Sequence, residues 1–310
     1  MADAPRTPTL SHRLEYAATR VAVGLLRLVG WRASSAVGAM LGRLAYRPIG
    51  IRAGVTERQI AAAFPELTSP QVRDTARRSY ESIGRTFIET SVLPGATRDE
   101  ILARFETIDG WEHLEAAMAL GKGVIIVTGH LGNWELGGAY LAARGIPLDV
   151  VARGMGNPLV EAYVLSTRRQ IGMEVVHDQQ AVRQTPRALR EGRVVAMVSD
   201  HDALGLASTF VPFFGRPAKT PRGPAVFALR LGVPLVFVTP VREPSGRYAL
   251  RIEPVPVVET GDREADVDAI VLAYTQILER FIRRYPDQYF WQHRRWRRQP
   301  DDTPAHLREP

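Results

Sequence analysis

The spacing of apolar positions changes near residue 120. Before that point apolar residues recur at helical intervals. Leu10 to Tyr46 is rich in small and aliphatic side chains. Arg52 to Phe64 and Ser69 to Glu89 read as amphipathic helices joined through Pro65-Glu66-Leu67-Thr68, and Pro70 marks the start of the second. Phe105 to Ile108 reads as a strand and Trp111 to Leu120 as a helix. Beyond it, short unbroken apolar runs alternate with helical stretches. Val124 to Val127, Val150 to Arg153, Met173 to Val176, Val194 to Val198 and Leu235 to Val238 are predicted strands. Helices are predicted over Trp134 to Arg144, Asn157 to Gln170, Pro186 to Glu191, Ala225 to Leu231 and Arg263 to Tyr285. Tyr248 to Val257 reads as an antiparallel edge strand, since Pro254 and Pro256 bar a central position. This alternation predicts an α/β fold: a mostly parallel central sheet flanked by helices, behind a helical N-terminal region. The divisions drawn are a membrane-associating segment (1–47), a helical region (48–120), the α/β domain (121–298) and a polar tail (299–310).

The N-terminal segment changes the picture from a plain α/β protein. Arg20 and Arg27 interrupt its most apolar window, and a spanning helix needs about 20 mostly apolar residues, so it is a poor transmembrane candidate. Arg13, Arg20 and Arg27 recur every seven residues along one face, while Leu14, Val21, Leu25 and Leu28 occupy much of the rest. That is the pattern of a helix lying in a membrane interface. A helix packed on the protein's own core with a solvated arginine stripe gives the same pattern. The second apolar segment, Ala36 to Leu44, favours membrane contact. Met1 to Thr9 is polar and nothing resembles a secretory signal. Across 310 residues there is no cysteine, which excludes disulfides, zinc-thiolate sites and cysteine nucleophiles. Forty Lys and Arg against 33 Asp and Glu give a net charge of +7, which favours acidic partners: anionic lipid, phosphate esters, an acidic carrier protein or nucleic acid.

The candidate chemistry centres on Thr128-Gly129-His130-Leu131-Gly132-Asn133-Trp134-Glu135. His130 follows a buried strand, where open α/β sheets place their sites. Glu135 falls in the first turn of the next helix and is expected to reach back to the imidazole. Such a pair is a base with an orienting carboxylate, acting on a hydroxyl that a substrate brings. Asn133 is the expected N-cap and a candidate substrate contact. Arg153 ends the next strand and is expected to hold a phosphate or an oxyanion, or to pair with Glu161. Ser199-Asp200-His201-Asp202 follows another buried strand, with Asp200 an orienting or structural carboxylate facing the same cleft. A metal on His130, Asp200 and Asp202 is disfavoured, because side chains of adjacent residues diverge. Phe213 and Phe214 are candidates to line an alkyl slot, and Arg216, Lys219 and Thr220 to receive a phosphate near a helix N-terminus; a β-turn with buried aromatics is the alternative. Tyr289 to Arg298 interleaves aromatics with arginines, a composition suited to nucleic acid or to a membrane interface. The apolar N-terminal region favours the membrane.

Together, His130-Leu131-Gly132-Asn133-Trp134-Glu135, the Asp200 to Thr220 block, Gly232-Val233-Pro234-Leu235 and Phe290-Trp291-Gln292-His293-Arg294-Arg295-Trp296 resemble the bacterial lipid A late acyltransferases, within the lysophospholipid acyltransferase superfamily. The resemblance runs from about His12 to Arg298, and departs from the pattern near Gln59, where relatives commonly carry asparagine. It implies a glycerolipid acyltransferase-like fold and transfer of a fatty acyl group from acyl carrier protein to a hydroxyl of a lipid A precursor. His130 would be the general base and Glu135 its orienting partner; Arg153 and the basic loop would bind acceptor phosphate or steady the oxyanion. It further implies acyl carrier protein, an anionic glycolipid and a membrane surface as partners, no nucleic acid, no cofactor beyond the acyl-ACP or acyl-CoA co-substrate, and a place on the cytoplasmic face of the inner membrane. The alternative is an acyl-CoA-dependent phosphatidylinositol mannoside or lysophospholipid acyltransferase.

Overall fold

The computed structural model describes residues 7–201 and 205–310. The helical opening comprises α1 (Leu10–Tyr46), α2 (Ala53–Ala63), α3 (Ser69–Val92) and α4 (Arg98–Leu102). There follow β1 (Phe105–Asp109), α5 (Trp111–Ala119), β2 (Val124–Thr128), α6 (Trp134–Ala143), β3 (Leu148–Ala152), α7 (Pro158–Ile171), β4 (Met173–His177), α8 (Ala181–Arg190) and β5 (Val194–Val198). The chain continues through β6 (Ser208–Phe213), β7 (Arg216–Pro221), α9 (Gly223–Leu231), β8 (Leu235–Arg242), β9 (Tyr248–Val255) and α10 (Arg263–Arg284).

Seven strands form one sheet in the order β1-β9-β8-β2-β5-β3-β4, parallel except between β8 and β9. β2 lies between β8 and β5, buried on both faces: Val124 and Ile126 enter one core, Ile125 and Val127 the other. This is why its sequence is an unbroken aliphatic run rather than an alternating one. The α/β architecture behind a helical N-terminal region is as expected.

Four local expectations are corrected. β9 is not an edge strand, because β1 pairs with it in parallel at Tyr248 to Arg251; Pro254 lies past the end of that pairing, where no donor is needed on the β1 side. α8 begins at Ala181, so Pro186 sits inside the helix instead of starting it. The stretch expected as an apolar-to-basic loop is a hairpin, β6 and β7, turned by Phe214 and Gly215 at positive φ, with Phe213 and Phe214 buried. Finally, the aromatic and arginine-rich terminus is no exposed binding surface. Trp291, Trp296 and Arg295 are at most 1% exposed. Gln59 binds this strap at both polar ends, its Nε2 donating to the carbonyls of Trp291 (2.6 Å) and His293 (2.8 Å) and its Oε1 accepting from the Arg295 N–H (2.7 Å).

α1 bends at Gly30, whose φ of 79° is open to glycine at little cost. Ser34 Oγ donates to the Leu26 carbonyl at 2.6 Å, satisfying an acceptor that the bend frees. In the first leg, Tyr16, Thr19, Val23 and Leu26 turn toward the protein body. Leu10, Leu14, Val21, Leu25 and Leu28, 60–84% exposed, project from the opposite side. At 100° per residue these five fall within a stripe about 60° wide. Among the described residues no helix is long and apolar enough to cross a membrane.

Candidate active site

β2 and β5 run side by side in register, Thr128 opposite Val198. Two residues past each end, His130 and Asp200 meet above the carboxyl edge of the sheet. Asp200 Oδ1 lies 2.7 Å from His130 Nδ1, and Oδ2 accepts the His130 main-chain N–H at 3.0 Å. Asp200 is 2% exposed. Burial alone would raise its pKa, but the electrostatic influence of the His130 and His201 rings and the two hydrogen bonds outweigh burial and hold it well below the usual carboxylate range. An ionised carboxylate there fixes the tautomer with hydrogen on Nδ1 and leaves Nε2 as the basic nitrogen.

The turn that presents His130 is held on every side. Gly132 has φ +64°, and a Cβ on it would stand 1.7 Å from the Pro240 carbonyl oxygen, so only glycine fits. Gly132 N–H donates to the Gln288 carbonyl and Phe290 N–H to the His130 carbonyl, both at 3.0 Å. Asn133 is fully buried; its Oδ1 caps α6 at Leu136 N–H and its Nδ2 donates to Glu89 at 3.0 Å. Glu89 is itself fully buried against Arg242, Tyr248 and Ser35.

His130 opens onto a cavity of about 600 Å³. Between α6 and the sheet its wall is apolar, with Ile126, Leu141, Val150, Met173 and Val238, and Gly137 and Gly138 of α6 line it where Pro240 and Met173 approach closely. Toward His130 it carries Thr128, Glu135, Arg153 and Arg168. The Glu135 carboxylate does not take the imidazole: both its oxygens receive Arg168 of α7, through Nε (3.2 Å) and Nη2 (2.5 Å). The contact to the imidazole expected of Glu135 is made by Asp200. Arg153 lies on the cavity wall as expected, and Glu161 stands instead 3.8 Å from His177.

The remaining candidates are engaged elsewhere. Phe213 packs on Trp296 and Tyr289, and Phe214 on Phe64 and Trp291. Arg216 donates to the Arg308 carbonyl at 2.8 Å. The Lys219 carbonyl and the Thr220 hydroxyl both accept from the buried Arg295 guanidinium at 2.6 Å. None of these five residues lines the cavity.

Sequence reasoning missed Arg168 and the stack that His201 and His293 form with His130, although it placed His201 in the same cleft as Asp200. The His201 ring is stacked between His130 (centroids 3.7 Å, 9° between planes) and His293 (3.8 Å, 15°). Burial pushes the His201 pKa well down, and the charge of His130 adds to this. The spacing signal for Asp200 was present, since it stands two residues past a buried strand as His130 does. His130, Asp200 and His201 offer ligand atoms within 4.8 Å of one another. They do not suit one metal ion: lone pairs lie in the ring planes, and with the planes stacked, an ion about 2.0–2.1 Å from both nitrogens would lie far out of at least one plane. Asp202 lies outside the described residues.

Comparison with known proteins gives the family. The family model described as bacterial lipid A biosynthesis acyltransferase matches residues 6–298. The chain is 28% identical to the lipid A biosynthesis lauroyltransferase of Escherichia coli, over 98% of this chain and 99% of the relative. It is 25% identical to the lipid A biosynthesis palmitoleoyltransferase of the same organism over 85% of each, and 28% identical to a phosphatidylinositol mannoside acyltransferase of Mycobacterium tuberculosis over 64% of each. The match spans the helical opening, the sheet and the strap together, and the chain belongs to the bacterial lipid A biosynthesis acyltransferase family and is an O-acyltransferase.

Proposed function

We propose that this protein moves a fatty acyl group from acyl carrier protein to a hydroxyl of a lipid A precursor. The observation that carries the proposal is the Asp200–His130 pair at the wall of a cavity that is apolar between α6 and the sheet. Nε2 of His130 takes the acceptor's hydroxyl proton as the oxygen attacks the thioester carbonyl. The tetrahedral oxyanion collapses, the carbon–sulfur bond breaks, and the departing thiolate receives the proton from His130. Asp200 holds the ring and stabilises the transient imidazolium. No acyl-enzyme forms, because no serine or cysteine is needed. The acyl chain occupies the apolar channel beneath α6. Arg168, positioned by Glu135, and Arg153 supply positive charge for the oxyanion and for acceptor phosphate. The protein's net charge of +7 attracts an acidic carrier protein.

The outward stripe of α1 supports attachment to a membrane surface, with the apolar side chains in the acyl layer and Arg13, Arg20 and Arg27 along its flank. This suits a lipid acceptor delivered from the cytoplasmic leaflet of the inner membrane.

The test is turnover by the full chain with acyl-ACP and a lipid A precursor, read by mass spectrometry. One added acyl group is expected, and none with His130→Ala. The similarity to the mannoside acyltransferase supports a second reading, acyl-CoA-dependent acylation of a phosphatidylinositol mannoside. Turnover of that pair alone would move the acceptor assignment there.

A further inference from the structure

The bend in α1 encloses a second pocket of about 410 Å³, away from His130. Its wall includes Arg27 and Trp31 of α1, the turn after α3, and Glu100 and Arg104 around α4. The Arg104 guanidinium lies 4.4 Å over the Trp31 ring. Burial pushes its pKa down; Glu100 and Glu89 oppose this and Arg32 adds to it. Among the described residues none of Arg27, Arg32 and Arg104 forms an ion pair. Glu100 is committed to capping α4, its Oε2 accepting the Thr97 N–H at 2.7 Å and hydroxyl at 3.1 Å. On the pocket wall Arg27 and Arg104 stand against Glu100, a surplus of one positive charge. Nη2 of Arg27 lies 3.9 Å from where a Cβ on Gly95 would stand, so the lack of a side chain there keeps the pocket open.

We infer that this pocket binds a phosphate monoester carried on a lipid headgroup. The positive surplus attracts such a group, which carries about −1.5 to −2 at pH 7. Planar guanidinium forks suit its oxygens. The pocket also sits at the depth a headgroup would occupy. Leu25, Leu28 and Val29, 60%, 84% and 58% exposed, project from the outward side of the same turns of α1. With those side chains in the acyl layer, Arg27 and Arg104 stand among the phosphates. The site rests on the membrane-surface reading of α1 given above.

The test measures binding of the full chain to phosphatidylcholine vesicles doped with phosphatidic acid, a monoester, or phosphatidylglycerol, a diester, at matched surface potential. The wild type is expected to bind the phosphatidic acid vesicles about tenfold more tightly, one charge-assisted contact's worth. Arg27→Gln with Arg104→Gln should abolish that preference. Arg13→Gln with Arg43→Gln removes equal charge from α1 outside the pocket; it should weaken binding to both vesicles alike and keep the preference. Arg27 is exposed, so Arg27→Gln alone serves if the double variant melts without cooperativity. Retention of the full preference by the pocket variants overturns the proposal. Saturable binding of inorganic phosphate by the wild type, lost in the pocket variants, with no preference between the two vesicles reassigns the pocket to free phosphate and also overturns it. Failure of the wild type to bind either vesicle removes the membrane reading together with the site.

Discussion

Asp200 holds His130 at two points, the ring through Nδ1 and the backbone through the main-chain N–H. One carboxylate therefore fixes both the position of the base and its tautomer. Asp200→Asn can keep the main-chain contact but offers Nδ1 an amide, which stabilises neither the right tautomer nor the imidazolium. We expect kcat to fall by about 10²- to 10⁴-fold, the range general-base catalysis contributes. Glu135→Gln, which loosens Arg168 and leaves the His130–Asp200 pair intact, should cost less. Steady-state turnover of the two variants checks the order; a larger loss for Glu135→Gln would return the orienting role to that residue.

The stack of His130, His201 and His293 predicts the form of the acid limb. His201 faces His130 and His293 on its two sides, with Asp200 and Arg295 among the charges that act on it. Burial first, then the charge of His130, push its pKa well down, so it stays neutral through the physiological range. His201 therefore adds no proton of its own to the acid limb, and the slope of log kcat/KM against pH there should be one. His201→Phe keeps a stacked ring and removes the titration, and should leave that slope at one. A slope of two in the wild type would show that His201 takes up a proton as well.

Glu89 predicts an acid stability effect. Burial would raise its pKa, but Arg242, Ser35 and Tyr248 lower it further, for a net fall below the ordinary value. A carboxylate with a depressed folded pKa contributes stability that is full above its unfolded pKa and is lost as pH falls through the folded value. The melting temperature should therefore drop below about pH 4, where free carboxylates begin to protonate. Glu89→Gln should destabilise by about 3–5 kcal/mol at pH 7, since Arg242 is left buried and unpaired. The same variant should show a shallower fall in Tm below pH 4. An equally steep fall would assign the acid sensitivity to another group.

Much of the fold was legible in the order of residues because helix and strand periods are local. Val124 to Val127 and Val194 to Val198 announce buried strands by composition alone. What local pattern does not carry is strand order. β5 returns to lie between β2 and β3, and only that return sets Asp200 beside His130, seventy positions apart in sequence. Glu135 was the nearer carboxylate in sequence, but α6 turns it toward α7, where Arg168 takes both oxygens. The terminal strap was unreadable for a similar reason. Interleaved tryptophans and arginines look the same whether they face solvent or core. Their burial here depends on Gln59 and on Ser79, whose hydroxyl donates to the Tyr289 carbonyl at 2.8 Å.

The glycine face of α6 predicts how acyl length is chosen. Gly138 lines the cavity, and a Cβ placed on it would meet Met173 Sδ at 3.1 Å and Leu148 Cδ2 at 3.8 Å. Met173 is a flexible side chain that can give by a few tenths of an ångström, so the backbone need not move. Gly138→Val would then project into the channel and shorten it. Folding should survive, because glycine within a helix is itself unfavourable by roughly 0.5–1 kcal/mol relative to alanine. We expect turnover with the longest accepted acyl donor to fall by about tenfold or more, from the loss of one or two buried methylenes' worth of binding. Shorter donors should be used nearly as well as before. Competition between donors of different length, read as product masses from one reaction, checks this directly. An equal loss at every length would mean that the chain lies elsewhere than under α6.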